Sequence, residues 1–189
     1  MKVLNNGAWD NMTQTEVTSE HAFDEKLCTE LISYLIDEKA ETVVDMGCGI
    51  GEYVRRFKNH FKCDGFDGNP HTRELTNNIC NVLDLSEPVN INNSYDWVVS
   101  LEVGEHIPKK FEDFFIDNIT KCCTNGLIIS WAIPGQGGKG HVNEKKNDYI
   151  IQRITSKGFT YLPEKSKNLR NASQLWWFKN TIMVFKKNN

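Results

Sequence analysis

The residues best suited to chemistry lie in two stretches of the second half of the chain. Glu102-Val103-Gly104-Glu105-His106 carries two carboxylates and an imidazole at spacings i, i+3 and i+4. On a helix those positions share one face, so the three side chains would meet at one point. A second imidazole, His141, follows Pro134-Gly135-Gln136-Gly137-Gly138-Lys139-Gly140, a run too rich in glycine for a core element. Glu102, Glu105, His106 and His141 together offer oxygen and nitrogen ligands. Such a set suits Mg²⁺, Mn²⁺, Fe²⁺ or Zn²⁺ without choosing among them. Two other readings stay open. His141 can act as a general base without metal, with Glu102 and His106 beside it. Alternatively, Glu102 caps a helix and His106 makes a buried hydrogen bond.

A different chemistry belongs to Asp45-Met46-Gly47-Cys48-Gly49-Ile50-Gly51, which follows the β-rich run Thr42-Val43-Val44. Glycines let the backbone turn tightly and let a ligand come close. The helix that follows offers free N–H groups to a carboxylate or phosphate. A dinucleotide fingerprint needs its third glycine at position 52, and that residue is Glu52.

The elements that must position these groups alternate along the chain. Phe23, Leu27, Leu31 and Leu35 recur every four residues and predict an amphipathic helix, with Ser19 as its cap. Val54, Phe57 and Phe61 predict a second helix, and Pro70 a third, capped by Asn69. Strands are predicted at 42–45, 64–67, 82–83, 95–101, 127–132, 159–162 and 182–185. Helical residues are expected after the fourth strand, to about Cys123, and again at 148–156. This alternation implies an α/β, doubly wound, Rossmann-like fold: a mostly parallel seven-stranded sheet with helices on both faces. Residues 1–18 read as a loose N-terminal arm and 19–189 as one domain.

The motif Asp45-x-Gly47-x-Gly49-x-Gly51 resembles the first motif of class I S-adenosylmethionine (SAM) methyltransferases. Asp67 closes the second strand, where that family places an acid on the ribose hydroxyls, and Asp84 closes the third, at its adenine edge. Tyr95-Asp96-Trp97-Val98-Val99-Ser100 is similar to the fourth-strand motif. The resemblance implies SAM as cofactor, held by Asp45, Gly47, Cys48, Gly49, Gly51, Asp67, Gly68, Asn69, Asp84, Leu85 and Leu101. The Glu-x-x-Glu-His run with a later His is similar to small-RNA 3′-terminal 2′-O-methyltransferases. The run is also shared with ubiquinone-pathway O-methyltransferases. That likeness implies Mg²⁺ or Mn²⁺ at the four ligands and a hydroxyl as methyl acceptor. The glycine-rich stretch departs from the RNA enzymes and puts the substrate in question.

Composition narrows the acceptor. The 22 basic and 25 acidic side chains leave a net charge of −3, which disfavours a nucleic-acid partner. A sugar, glycan or other small vicinal-diol acceptor is therefore expected ahead of RNA. A non-catalytic SAM-binding regulatory protein is the rival from another class. No apolar run reaches the ~20 residues of a membrane helix, and Met1–Glu20 has no signal-peptide core. The six cysteines form no CxxC pair and read as reduced, buried thiols of a cytoplasmic protein. Trp176-Trp177-Phe178 is read as core, with a substrate-stacking lid as the alternative. His21 and Asp24 are expected to cap a helix or carry surface charge. Trp9 is expected either over the pocket or on the surface.

Overall fold

In chain order the elements are β1 (Lys2–Val3), β2 (Trp9–Asp10), α1 (Glu25–Asp37), β3 (Thr42–Met46), α2 (Glu52–Phe57), β4 (Lys62–Asp67), α3 (Thr72–Leu75), β5 (Asn81–Val82), β6 (Tyr95–Ser100), α4 (Glu112–Lys121), β7 (Cys123–Ile129), α5 (Asn147–Thr155), β8 (Phe159–Tyr161), α6 (Pro163–Ala172), α7 (Phe178–Thr181) and β9 (Met183–Lys187). The computed structural model describes residues 2–10, 21–91 and 93–188.

Seven strands form one sheet in the order β5-β4-β3-β6-β7-β9-β8. Pairing is parallel from β5 through β7, and β9 runs antiparallel to both of its neighbours. Side chains alternate across a strand, and the core divides accordingly. Val43, Trp97 and Val99 pack on one face with Leu27, Leu31 and Leu35 of α1 and Val54 and Phe57 of α2. Val44, Met46 and Val98 pack on the other with Phe115, Ile116 and Ile119 of α4 and Ile150 and Ile154 of α5. Burial on both faces is why β3 and β6 read as nearly continuous apolar runs. Each fully buried leucine stabilises the fold by roughly 1.5–3 kcal/mol relative to exposure.

The chain leaves β3 toward β4 and β5, then returns to place β6 on the other side of β3. Strand order thus reverses between β3 and β6. A crevice opens there beyond the C-terminal strand ends.

Several local expectations need correction. The first helix begins at Glu25, and its cap is Asp24, whose carboxylate accepts the Leu27 N–H at 3.0 Å. Ser19 lies outside the described residues. Pro70 does not start a helix: Asn69 accepts the His71 N–H at 2.9 Å, and α3 begins only at Thr72. Leu101–Ile107 forms successive turns, and helix resumes at a short 3₁₀ turn (Lys109–Phe111) before α4. The fifth strand of the sheet's parallel part spans Cys123–Ile129, with Trp131 and Ala132 buried beyond its end. Residues 2–10 are no loose arm but a hairpin, with Val3 paired to Trp9.

Candidate active site

The crevice is a cavity of about 440 Å³. Asp45, Gly47, Cys48, Gly49, Asp67, Gly68, Asn69, Asp84, Leu85 and Leu101 line one part of it. Gly51 does not reach the wall; it caps α2 at φ +76°, where an added Cβ would lie 3.1 Å from the Cys80 sulfur. Gly47 has φ +90°, and a Cβ there would lie 2.2 Å from Val103, so only glycine permits this approach. Asp67 ties the loop together by accepting the Gly49 N–H at 2.8 Å and the Asn69 N–H at 2.9 Å. Asp84 accepts from the Ser86 N–H and hydroxyl through one oxygen and from the Asn6 amide through the other. Its carboxylate is thus a turn cap and an anchor as well as a wall of the cavity. Burial holds the Asp45 carboxyl well above the usual carboxylate range, with Cys80 and Asp67 adding to the shift.

Glu102, His106 and His141 line another part of the same cavity. The expected shared helix face is absent, because Glu102 sits at φ +55° at the start of a turn. Its N–H donates to the Ser130 hydroxyl at 2.8 Å, which holds the reversal. The turn still gathers the later residues. Donor atoms of Glu105, His106 and His141 lie within 4.8 Å of one another. Glu102 falls outside that group and instead accepts from Gln136 Nε2 at 2.5 Å and from the Thr181 hydroxyl at 3.4 Å.

Glu105 is fully buried, and its carboxyl meets the Glu102 carboxyl and the Ala132 N–H without a well-formed hydrogen bond. Burial, reinforced by the Glu102 charge, raises its proton affinity well above the usual range. His106 Nδ1 is also buried and faces the Gly140 backbone without a well-formed hydrogen bond. Burial and the neighbouring His141 lower the His106 pKa to about 4, so its ring is neutral near pH 7. The rings of His106 and His141 meet edge-to-face at 4.9 Å.

Two devices missed in the sequence deliver His141. Glu144 accepts the N–H groups of Gly135 and Gly137 at 2.8 Å each and pairs with His141 Nδ1 at 3.2 Å. Glu144 thereby holds the His141 ring by Nδ1 beside His106. Gly138 is required beneath it, because a Cβ there would lie 2.3 Å from Nε2. Further along, Asn143 is buried, accepts the Trp131 indole N–H through its carbonyl at 2.7 Å, and donates to Glu112 at 3.0 Å. No motif marked Glu144 or Asn143; their effect depends on a loop closing over several residues.

Aromatic side chains form further parts of the wall. Trp9, in the N-terminal hairpin, stands edge-on to His21 at 5.1 Å and to His106 at 5.2 Å. Trp176, Trp177 and Phe178 all line the cavity, although only Phe178 is fully buried in the core. Asp24 is 1% exposed, so it caps α1 from the interior and carries no surface charge.

A doubly wound sheet, a glycine loop at the end of β3 and acids at the ends of β4 and β5 define a class I methyltransferase domain. The chain belongs to the family described as "Methyltransferase domain", which it matches over residues 20–130, more than half its length. It is 29% identical over 112 residues to a probable chloroplastic tocopherol O-methyltransferase of Oryza sativa subsp. japonica. That match covers 51% of this chain and 30% of the rice protein, so the chain spans less than a third of that relative. Among solved structures it resembles an amino pentose methyltransferase from Micromonospora echinaspora, with SAM bound (TM-score 0.68, 11% identity, 94% of this chain and 98% of that one). It also resembles magnesium protoporphyrin IX methyltransferase from Synechocystis PCC 6803, with S-adenosylhomocysteine (SAH) bound (TM-score 0.66, 16% identity, 95% and 89%). At these identities the structural likeness is one of fold.

No described helix is long and apolar enough to cross a membrane. All six cysteines are free and buried.

Proposed function

We propose that the protein is a SAM-dependent O-methyltransferase acting on a hydroxyl of a sugar, glycan or other small vicinal-diol acceptor, assisted by Mg²⁺ or Mn²⁺. One observation carries this reading. A single cavity joins the glycine loop and its acids to Glu102, His106 and His141, with the buried Glu105 carboxyl within 4.8 Å of both histidines. Asp67 and Asp84 on its wall stand where the family places the ribose hydroxyls and the adenine edge of SAM.

The donors fit a divalent ion. Burial favours the protonated Glu105 carboxyl, and a cation bound beside it would offset the cost of ionising it. Glu105, His106 and His141 would hold it, which is one residue fewer than the four expected from sequence. When bound, such an ion lowers the pKa of an acceptor hydroxyl and fixes its orientation.

The protein's own part is alignment. Methyl transfer forms an O–CH₃ bond as the S–CH₃ bond breaks, and the hydroxyl proton passes to a base. The acceptor oxygen must stand in line with the S–CH₃ bond at ~3–3.5 Å, where effective molarity supplies much of the rate. Glu102 serves alignment by clamping Gln136 of the glycine-rich loop and Thr181 of α7 to one carboxylate. His141 Nε2 is the base when it is not a metal ligand. The hairpin and the aromatic segment exclude water.

The test is methyl transfer from labelled SAM to catechol, methyl β-D-ribofuranoside, nucleotide sugars and a short RNA with a free 3′ ribose, with and without EDTA. Transfer to a small diol that EDTA abolishes and Mn²⁺ restores is the expected result. Full activity in EDTA removes the metal from the reading. Methylation of RNA alone overturns the small acceptor, and failure to bind SAM overturns the whole proposal.

A further inference from the structure

The segment after α6 is an unusual piece of wall. Trp176 is a large apolar side chain that remains 54% exposed while lining the cavity. It meets Trp177 edge-to-face at 5.8 Å, so the two indoles form a corner rather than a stack. An indole left exposed at a cavity rim gains from covering by a flat or CH-rich ring.

The segment is fastened at both ends. At its front, one oxygen of the buried Asp24 carboxylate accepts from the Ser173 hydroxyl at 2.6 Å, the Gln174 N–H at 2.7 Å and the Leu175 N–H at 3.0 Å. The other oxygen caps α1 at Leu27. At its back, the Thr181 hydroxyl contacts both the Trp177 carbonyl and Glu102. The aromatic corner is thereby referenced to the same carboxylate that holds the glycine-rich loop.

We infer that Trp176 is the surface on which the acceptor's ring stacks, and that Asp24 is the positioning residue that holds this surface in place. The inference rests on the methyltransferase reading and narrows its acceptor to a cyclic diol, saturated or aromatic, rather than an acyclic one. Trp176 acts as a specificity residue. Asp24 acts through the 173–175 turn and does not touch the acceptor.

The experiment measures binding to the SAH-loaded chain by calorimetry, with catechol, methyl β-D-ribofuranoside and ethylene glycol as probes. SAH binding is measured first for every variant. Trp176→Ala is expected to weaken catechol binding by about tenfold, the effect of one lost stacking contact, and to leave SAH affinity unchanged. Trp176→Phe restores most of the loss. Asp24→Asn keeps a good helix-capping oxygen but turns an NH₂ group toward the three donors, so it frees the turn without removing the cap. It should weaken catechol severalfold with SAH affinity retained, a split that general destabilisation does not produce. The inference is overturned if Trp176→Ala binds catechol like the unaltered chain, or if neither ring diol binds the unaltered chain better than ethylene glycol. Unchanged catechol affinity in Asp24→Asn overturns the positioning role. Loss of SAH binding in the unaltered chain overturns the methyltransferase reading and this inference with it, whereas intact SAH binding with an indifferent Trp176→Ala overturns this inference alone.

Discussion

Asn6 donates its side-chain amide to the Asp84 carboxylate across 2.7 Å, which fastens the turn of the N-terminal hairpin to the loop after β5. The next residue, Gly7, packs against the His106 backbone, where an added Cβ would lie 2.0 Å from the carbonyl oxygen. One short turn therefore spans the wall between the glycine-loop acids and the histidine cluster.

Gly7→Ala should lift the hairpin from this seat, because φ +92° and the His106 carbonyl both oppose a side chain. SAH affinity is expected to fall by about tenfold, or ~1.4 kcal/mol. The sheet should be intact by circular dichroism. Unaltered SAH affinity by calorimetry would show that the hairpin is no part of the ligand enclosure.

Metal binding predicts a thermal signature. Mn²⁺ at ~100 times its Kd adds about 2.7 kcal/mol to a chain that binds it only when folded. For a chain of this length that raises Tm by roughly 5–10 °C. Glu105→Met removes a buried carboxyl that has no well-formed hydrogen bond and should leave the metal-free Tm equal or higher, while abolishing the Mn²⁺ shift. A Glu105→Met chain still stabilised by Mn²⁺ would place the ion elsewhere.

Glu144 organises the approach of His141, so its effect should appear in turnover and not in cofactor binding. Glu144→Gln replaces one accepting oxygen with a donor that faces Gly135, Gly137 or His141. Loss of such an orienting partner costs about 10–100-fold. Single-turnover kinetics at saturating SAM would read this directly, with SAH affinity as the control that should not move.

Acid stability is predicted to depend on Glu112. This buried carboxylate receives Lys109 Nζ and the Tyr149 hydroxyl at 2.5 Å each and the Asn143 amide at 3.0 Å. Burial pushes its pKa up, but the three hydrogen bonds prevail and hold it below the usual glutamate range. Its stabilisation is therefore full above the unfolded value of ~4.3 and is lost as pH falls through the lower folded value. Glu112→Gln should cost about 2–3 kcal/mol at neutral pH and flatten the stability profile below pH ~4. Urea titrations of both chains across that range provide the check.

The strand positions, the parallel core and the glycine loop were legible because each depends on short-range pattern. Apolar runs mark strands covered on both faces, and glycines mark backbone that only glycine can adopt. α6 escaped notice because its buried side is Ser166 and Leu169. Ser166 is inward for a polar reason: its hydroxyl donates to the Leu162 carbonyl and accepts the Val184 N–H. A hydrophobic period cannot register a serine that is buried by hydrogen bonding.

The candidate site divides along the same line. Residue types and spacing pointed to Glu102, Glu105, His106 and His141 as chemical groups, and the family resemblance added Asp45, Asp67 and Asp84, because motifs are properties of local sequence. Which of them meet was decided in three dimensions. A left-handed Glu102, held by Ser130, replaced the expected helix and turned its carboxylate toward Gln136 and Thr181. Glu105, His106 and His141 came together because Glu144 and Asn143 fold the glycine-rich loop back over the turn. Asp24 holds the turn that precedes Trp176 through contacts 149–151 residues away in the chain, at Ser173 to Leu175. Sequence by itself determined the elements and the chemistry available to them, since both follow from side-chain type and backbone preference. Tertiary structure alone determined the pairing of distant loops, since hydrogen bonds between them exist only after the sheet has brought their ends to one crevice.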